Sequence, residues 1–207
     1  MNLKWTLIAA SIAMSSCMSF PDEMTTRATG ESMVATAYPG MPEELVRRSR
    51  QDASQALCSK PLSSLAAADA ATIIETERAA IAYPASGGLI GDWKKGEALA
   101  LEGAGARVRG GRVEKVAQNG ANCYACHALD PAEVNAGNIG PSLAGYGRER
   151  GTSDAIVKYT YEKIYDAWAF FPCSNMPRMG HNKFLTPEQI THVVAYLIDP
   201  ASPVNRK

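Results

Sequence analysis

NCYACHALD, residues 122–130, places two cysteines and a histidine within five residues of a chain that has 5 cysteines and 3 histidines in all. Cys123, Tyr124, Ala125, Cys126 and His127 form C-x-x-C-H, the attachment signature of a c-type haem. Thiols three residues apart on one helical turn reach two vinyl groups of the same porphyrin. The next residue then sets an imidazole against the iron from that side. Random occurrence of this pattern in this composition has an expectation on the order of 10⁻³. A thioredoxin-like C-x-x-C would follow a strand of an α/β fold, and a zinc site would need a second C-x-x-C; the sequence offers neither. One covalently bound haem c with its iron is the expected cofactor, held by Cys123, Cys126 and His127.

Working outward, the elements around the motif read as helices. LTPEQITHVVAYLIDP, residues 185–200, starts with Thr186 as N-cap, Pro187 at the first helical position and Gln189 completing a capping box. Ile190, Val193, Val194, Leu197 and Ile198 then make one apolar stripe. SDAIVKYTYEKIYDAWAF, residues 153–170, puts Ile156, Val157, Tyr159, Tyr161, Ile164, Tyr165 and Trp168 largely on one helical face. DWKKGEALALEG, from residue 92, predicts a short amphipathic helix through Trp93, Leu99 and Leu101. GAGARVRGGRVEKVAQNG, residues 103–120, predicts a glycine-rich loop with room for a brief strand. NIGPSLAGYGRERG (138–151) and FFPCSNMPRMGHN (170–182) predict irregular chain.

Upstream, PEELVRRSRQDASQAL (42–57) carries a helix-start signature, and PLSSLAAADAATIIETERAAIAYP (61–84) a second helical segment ending before Pro84. Residues 21–38 lack periodicity and predict a poorly ordered lead-in. The fold class is mainly α.

With 207 residues and 46% hydrophobic content the chain supports one globular core plus extra material. Its 21 basic and 21 acidic residues cancel, so nothing in the charge balance selects for nucleic acid. MNLKWTLIAASIAMSSCMSF has the form of a signal peptide, because its apolar run of about ten residues is too short to span a bilayer. No later segment is apolar enough for a transmembrane helix. We expect an exported, periplasmic protein. MSSC also resembles a weak lipoprotein box, with Cys17 as the acylated residue; the favoured reading leaves Cys17 inert. In an oxidising compartment Cys58 and Cys173 are expected to form a disulfide fastening the N-terminal segment to the loop before the last helix, with two separate buried thiols as the alternative. Closing a loop of roughly a hundred residues stabilises by up to about 4–5 kcal/mol in the chain-entropy model.

GPSLAG, residues 140–145, about a dozen residues past His127, resembles the G-P-x-L-x-G loop of class I cytochromes c. That resemblance implies that the Pro141 carbonyl takes the hydrogen bond from the outer nitrogen of the haem histidine. The class I pattern also places a Met-Pro before the C-terminal helix, which makes Met176 the expected sixth iron ligand, with Met179 next. His181 and His192 are weaker candidates: His192 lies off the apolar stripe, and His181 would ligate only from a differently folded loop. The expected organisation is a signal peptide over 1–19, a helical N-terminal extension over 20–84, and a class I cytochrome c domain over 85–207.

IAYPASGGLIGDWKKGE, NCYACHALDPAE, GNIGPSLAGYGRERG, PCSNMPRMG and LTPEQITHVVAYLIDPASPVN together resemble the SoxX family, the small cytochrome subunit of the SoxAX complex of thiosulfate oxidation. These stretches cover most of residues 81–205. The chain departs from the pattern at Met179, where an aromatic residue is the expectation. The resemblance implies a heterodimer with a SoxA-like cytochrome whose haem carries a reactive cysteine. It also implies a SoxYZ-like carrier protein that receives thiosulfate, and a downstream cytochrome c acceptor. This chain would be the electron-transfer subunit of an L-cysteine S-thiosulfotransferase, with no catalytic residue of its own. The alternative is a free-standing periplasmic class I cytochrome c.

Overall fold

The computed structural model describes residues 23–41, 43–103, 107–109, 112–114, 120–132 and 135–206; the expected signal peptide over 1–19 and Cys17 lie outside them. Its helices are α1 (Glu23–Ala37), α2 (Glu43–Ser49), α3 (Ala53–Cys58), α4 (Ala67–Ala79), α5 (Trp93–Leu101), α6 (Tyr146–Arg150), α7 (Asp154–Tyr165) and α8 (Pro187–Ile198). Among the described residues, the strands are β1 (Arg107–Arg109) and β2 (Arg112–Glu114), an antiparallel pair with Val108 opposite Val113. No helix among the described residues is long and apolar enough to cross a membrane.

The core forms where α5 and α7 pack on α8. Eight residues of α8 are buried, Ile190, Val193, Val194 and Ile198 among them, and its N-terminus carries the capping box from Thr186 and Gln189. Two orphan backbone donors are thereby satisfied before the apolar stripe begins. α5 can cross α8 closely because Gly96 has no side chain: a Cβ there would stand 1.9 Å from the His192 carbonyl oxygen. His192 is half-buried at this crossing rather than on the open surface, and its Nδ1 accepts a hydrogen bond from the Asp92 N–H at 2.9 Å. Leu99 is buried as its pattern predicts, whereas Leu101 is exposed.

The closing DPASPVN folds back under α8. Ser202 Oγ donates to the Tyr196 carbonyl, and Asn205 Nδ2 donates to the carbonyls of Leu197 and Asp199 at 3.1 and 2.9 Å. The last helical carbonyls thus find partners without water. The Val204 carbonyl accepts from the Gly145 N–H at 2.6 Å, tying this tail to the turn that starts α6.

Three stretches fold differently from their sequence reading. Residues 23–37 form a helix where a poorly ordered lead-in was expected; no proline interrupts them, and Ala, Met and Glu favour the helix, though its described side chains are almost all exposed. Residues 42–57 make two helices, because Asp52 and Gln55 form a capping box that starts α3 anew. α6 arises within the turn-rich stretch after Gly145, whose φ of 78° suits glycine. α4 ends at Ala79, and the chain to Pro84 runs extended over α7, where Tyr83 stacks on Tyr161 at 5.5 Å and the Tyr161 hydroxyl donates to the Ala82 carbonyl.

Candidate haem site

The motif is fixed from both sides by backbone hydrogen bonds. The Ala121 and Asn122 N–H groups donate to the carbonyls of Leu99 and Glu102, so the end of α5 aims the chain into the turn. Asn122 takes a left-handed φ of 49°, which a short polar side chain tolerates. Cys123–Ala125 then form one 3-10 turn, and the His127 N–H donates to the Cys123 carbonyl at 3.0 Å. On the far side the Gly137, Gly140 and Leu143 N–H groups donate to the carbonyls of Tyr124, Cys126 and Ala128, fastening the 137–143 loop onto the motif.

That loop approaches so closely that only glycine fits at two positions. A Cβ on Gly137 would meet the Ala125 carbonyl oxygen at 1.9 Å, and one on Gly140 would meet His127 Cε1 at 2.2 Å. The Pro141 carbonyl stands 2.7 Å from His127 Nδ1. Nδ1 is therefore the protonated nitrogen, and Nε2 is the one available to a metal.

Cys123 and Cys126 are free thiols, while Cys58 and Cys173 are joined in a disulfide. Burial pushes the Cys123 thiol up to about 12, the charge of Cys126 adding to it. Such a thiol stays protonated at neutral pH and is a poor thiol–disulfide exchanger. Two unpaired adjacent thiols, an imidazole with Nε2 free, and a glycine-lined face over that imidazole together fit covalently attached haem. When bound, the haem supplies one-electron reduction and reoxidation at its iron.

Met176 and Met179 are both half-buried and pack against the same apolar core as Cys123, Tyr124 and Leu143. Met176 is positioned from within its loop, where its N–H donates to Ser174 Oγ and the Ser174 carbonyl accepts from Trp168 Nε1. Met179 is pinned between helices, since its carbonyl accepts from Phe184 and Leu185 while the Gly180 N–H donates to the Tyr165 carbonyl at the end of α7. The disulfide anchors the same loop at Cys173, which takes a left-handed φ of 59°, to the end of α3.

His181 points elsewhere. It lies in a buried cluster of charged side chains behind the methionine loop. Arg178, 2% exposed, reaches Glu77 Oε1 at 3.0 Å and Asp52 Oδ2 at 2.5 Å, and its guanidinium sits 4.5 Å from the centre of the Trp168 ring. His181 Nδ1 stands 3.0 Å from Glu77 Oε2 and 3.3 Å from Asp166 Oδ2. Burial works against the Glu77 carboxylate, but His181, Asp166, Ser54 and the charge of Arg178 outweigh it and hold Glu77 well below the usual carboxylate range. Burial, with Glu77 adding to it, lifts Asp166 above that range. Asp166 and Glu77 raise His181 to about 9, against burial and Arg178. The sequence reading missed Asp52, Glu77, Asp166 and Arg178. The available hint was the disulfide, since Asp52 lies just before Cys58 and Arg178 just after Cys173.

Residues 112–199 match the family model described as Cytochrome c. The chain is also 45% identical over 157 residues to a protein of Aquifex aeolicus (strain VF5) named an uncharacterized lipoprotein, across 75% of this chain and 73% of that one. The fold is the mainly α class I cytochrome c fold, and its activity is electron transfer through covalently bound haem c. This chain belongs to the same family as that Aquifex protein, and it carries a cytochrome c domain.

Proposed function

We propose that this chain is the electron-accepting monohaem subunit of an exported, periplasmic complex that joins thiosulfate oxidatively to a carrier-protein cysteine. In that reaction a sulfur–sulfur bond forms between the carrier thiol and the outer sulfur of thiosulfate, with release of two electrons and one proton. The bond-forming chemistry belongs to a SoxA-like partner, and the electrons leave through this chain one at a time to a downstream cytochrome c. His127, held by Pro141, and Met176 would supply the two axial ligands to the single haem that the one C-x-x-C-H allows. His/Met ligation favours a potential high enough to accept electrons.

The observation that carries the reading is the extent of the likeness to the SoxX family, whose closing DPASPVN here holds α8 and the 140–145 loop together. Ile139, 72% exposed beside Gly140, gives the rim of the motif an apolar approach of the kind a permanent partner covers. A freely diffusing carrier more often docks through a charged face. The Aquifex relative is named a lipoprotein, which supports export and favours Cys17 as a lipid attachment point over an inert residue.

The test is a gentle pull-down of the tagged chain from host periplasm after growth on thiosulfate, with haem content and partner stoichiometry read together. The expected result is a one-to-one second cytochrome, and reduction of this haem by thiosulfate plus carrier protein only when that cytochrome is present. A monomer that exchanges electrons with an oxidase and ignores thiosulfate would replace this reading with the free-standing carrier.

A further inference from the structure

Glu77, Asp166 and His181 belong to three different segments: α4, the break between α7 and the 3-10 turn at 167–169, and the loop before α8. They converge on one point. Glu77 Oε2, Asp166 Oδ2 and His181 Nδ1 all lie within 4.8 Å of one another. Glu77 is 2% exposed and Asp166 is fully buried, yet Glu77 Oε2 and Asp166 Oδ2 each lack a hydrogen-bond partner. Orphaned buried carboxylate oxygens are costly, and a native fold retains them where something else satisfies them.

The spacing indicates what does. Both oxygens converge on His181 Nδ1, at 3.0 and 3.3 Å. Donor atoms about 2.1 Å from a zinc ion, at angles between right and tetrahedral, stand about 3.0–3.4 Å apart. The other oxygen of Glu77 is held by Arg178, which orients the carboxylate. On the far side of the ring, His181 Nε2 lies 3.3 Å from Arg178 Nη1 and 3.6 Å from Asp52 Oδ2, so these two side chains fix the plane of the imidazole.

We propose that Glu77, Asp166 and His181 form a divalent-cation site of the zinc class, separate from the haem. Glu77 Oε2, Asp166 Oδ2 and His181 Nδ1 are the protein ligands, and water completes the shell on the side where His181 is 26% exposed. Charge balances with a neutral imidazole: three carboxylates with Asp52 included, one guanidinium and a 2+ ion sum to zero. Nitrogen and carboxylate donors in so small a set suit zinc, whereas magnesium and calcium prefer more oxygen ligands. The ion would fasten α4 to the loop that carries Met176 and Met179. None of this depends on which electron donor the haem serves.

The experiment uses the full haem-loaded chain with its disulfide intact, stripped with a chelator and dialysed. Zinc chloride is then titrated calorimetrically, and retained zinc is counted by elemental mass spectrometry after desalting. One zinc per chain is expected, bound at micromolar concentration or tighter, with millimolar magnesium failing to displace it. Asp166→Asn and His181→Gln should each weaken binding at least about 30-fold while the visible haem spectrum is kept. If His181→Gln loses that spectrum, Asp166→Asn alone decides. Binding weaker than about 1 mM, or affinity unchanged in the folded variant, overturns the proposal.

Discussion

Replacing Arg178 with methionine probes the joint between the segment before residue 85 and the methionine loop. The guanidinium is 2% exposed, contacts Glu77 and Asp52, and stacks on Trp168. Methionine keeps much of the aliphatic stem but strips Glu77, also 2% exposed, of the guanidinium on its Oε1, leaving His181 as its remaining cationic neighbour. Removing one partner of a buried ion pair costs about 3–5 kcal/mol, because the survivor stays desolvated. For a chain of this size that corresponds to a fall of about 6–20 °C in Tm. The Asp52 side chain is 38% exposed, so its pairing adds little beyond this. The double variant Glu77→Gln/Arg178→Met removes the stranded charge and should recover about 1–3 kcal/mol relative to additivity. Urea unfolding of the ferric protein, followed by far-UV signal and by the haem absorption band, measures both. In the single variant the haem band should change at lower urea than the far-UV signal, because the loop around Met176 loosens before the helices melt. An Arg178→Met protein within about 1 kcal/mol of the parent, or strict additivity in the double variant, would refute the claim that this ion cluster holds the loop.

Gly140→Ala places a Cβ 2.2 Å from His127 Cε1, so the ring must leave the Pro141 carbonyl; we expect a loss of about 1.5–3 kcal/mol and a shifted haem band, and a silent substitution would contradict the geometry. Cys58→Ala/Cys173→Ala opens a bridge spanning 115 residues and should destabilise by up to about 4–5 kcal/mol in the chain-entropy model, read as a lowered urea midpoint under non-reducing conditions. Met176→Ala should convert the ferric haem spectrum from low to high spin while Met179→Ala leaves it low-spin; the reverse pattern would move the sixth ligand to Met179. For metal-free protein, His181 faces Glu77 from α4, Asp166 from the end of α7, Asp52 from the turn before α3 and the Arg178 guanidinium. Its value is raised from 6.5 to about 9, so the stabilisation is full below pH 6.5 and is lost as pH rises through 9, by at most about 3 kcal/mol. Stability that is flat or rising between those limits would show that His181 is not charged in the fold.

What the sequence showed and what it hid divide along a physical line. The capping box at Thr186, the stripe on α8 and the C-x-x-C-H spacing are local patterns, in which the residues that interact are close in the chain. The Asp52–Gln55 capping box is equally local, and the helix break between α2 and α3 was legible there, although the sequence reading of 42–57 marked only the helix start at its beginning. The charge cluster is different, since Asp52, Glu77, Asp166, Arg178 and His181 come from four parts of the chain and no spacing relates them. Each alone reads as an ordinary solvated charge. Only their burial together, which depends on how α4 lies on the 3-10 turn after α7, makes them a unit. That packing also changes the meaning of the segment before residue 85. Ile73 is 1% exposed, Arg78 donates to the Ala169 carbonyl at 3.0 Å, and Glu77 sits against Arg178, so α4 is not a loose appendage. It covers the back of the loop that brings Met176 and Met179 to the core, and detaching it would expose Glu77, Asp166 and Arg178 at once. Because an unpaired charge inside that site is worth several kcal/mol, the loop is held by electrostatics and the Cys58–Cys173 bridge where the apolar contacts of the irregular stretch 170–186 alone would not suffice. The loop that carries Met176 and Met179 is thus held in place by residues that lie nowhere near the haem motif in sequence.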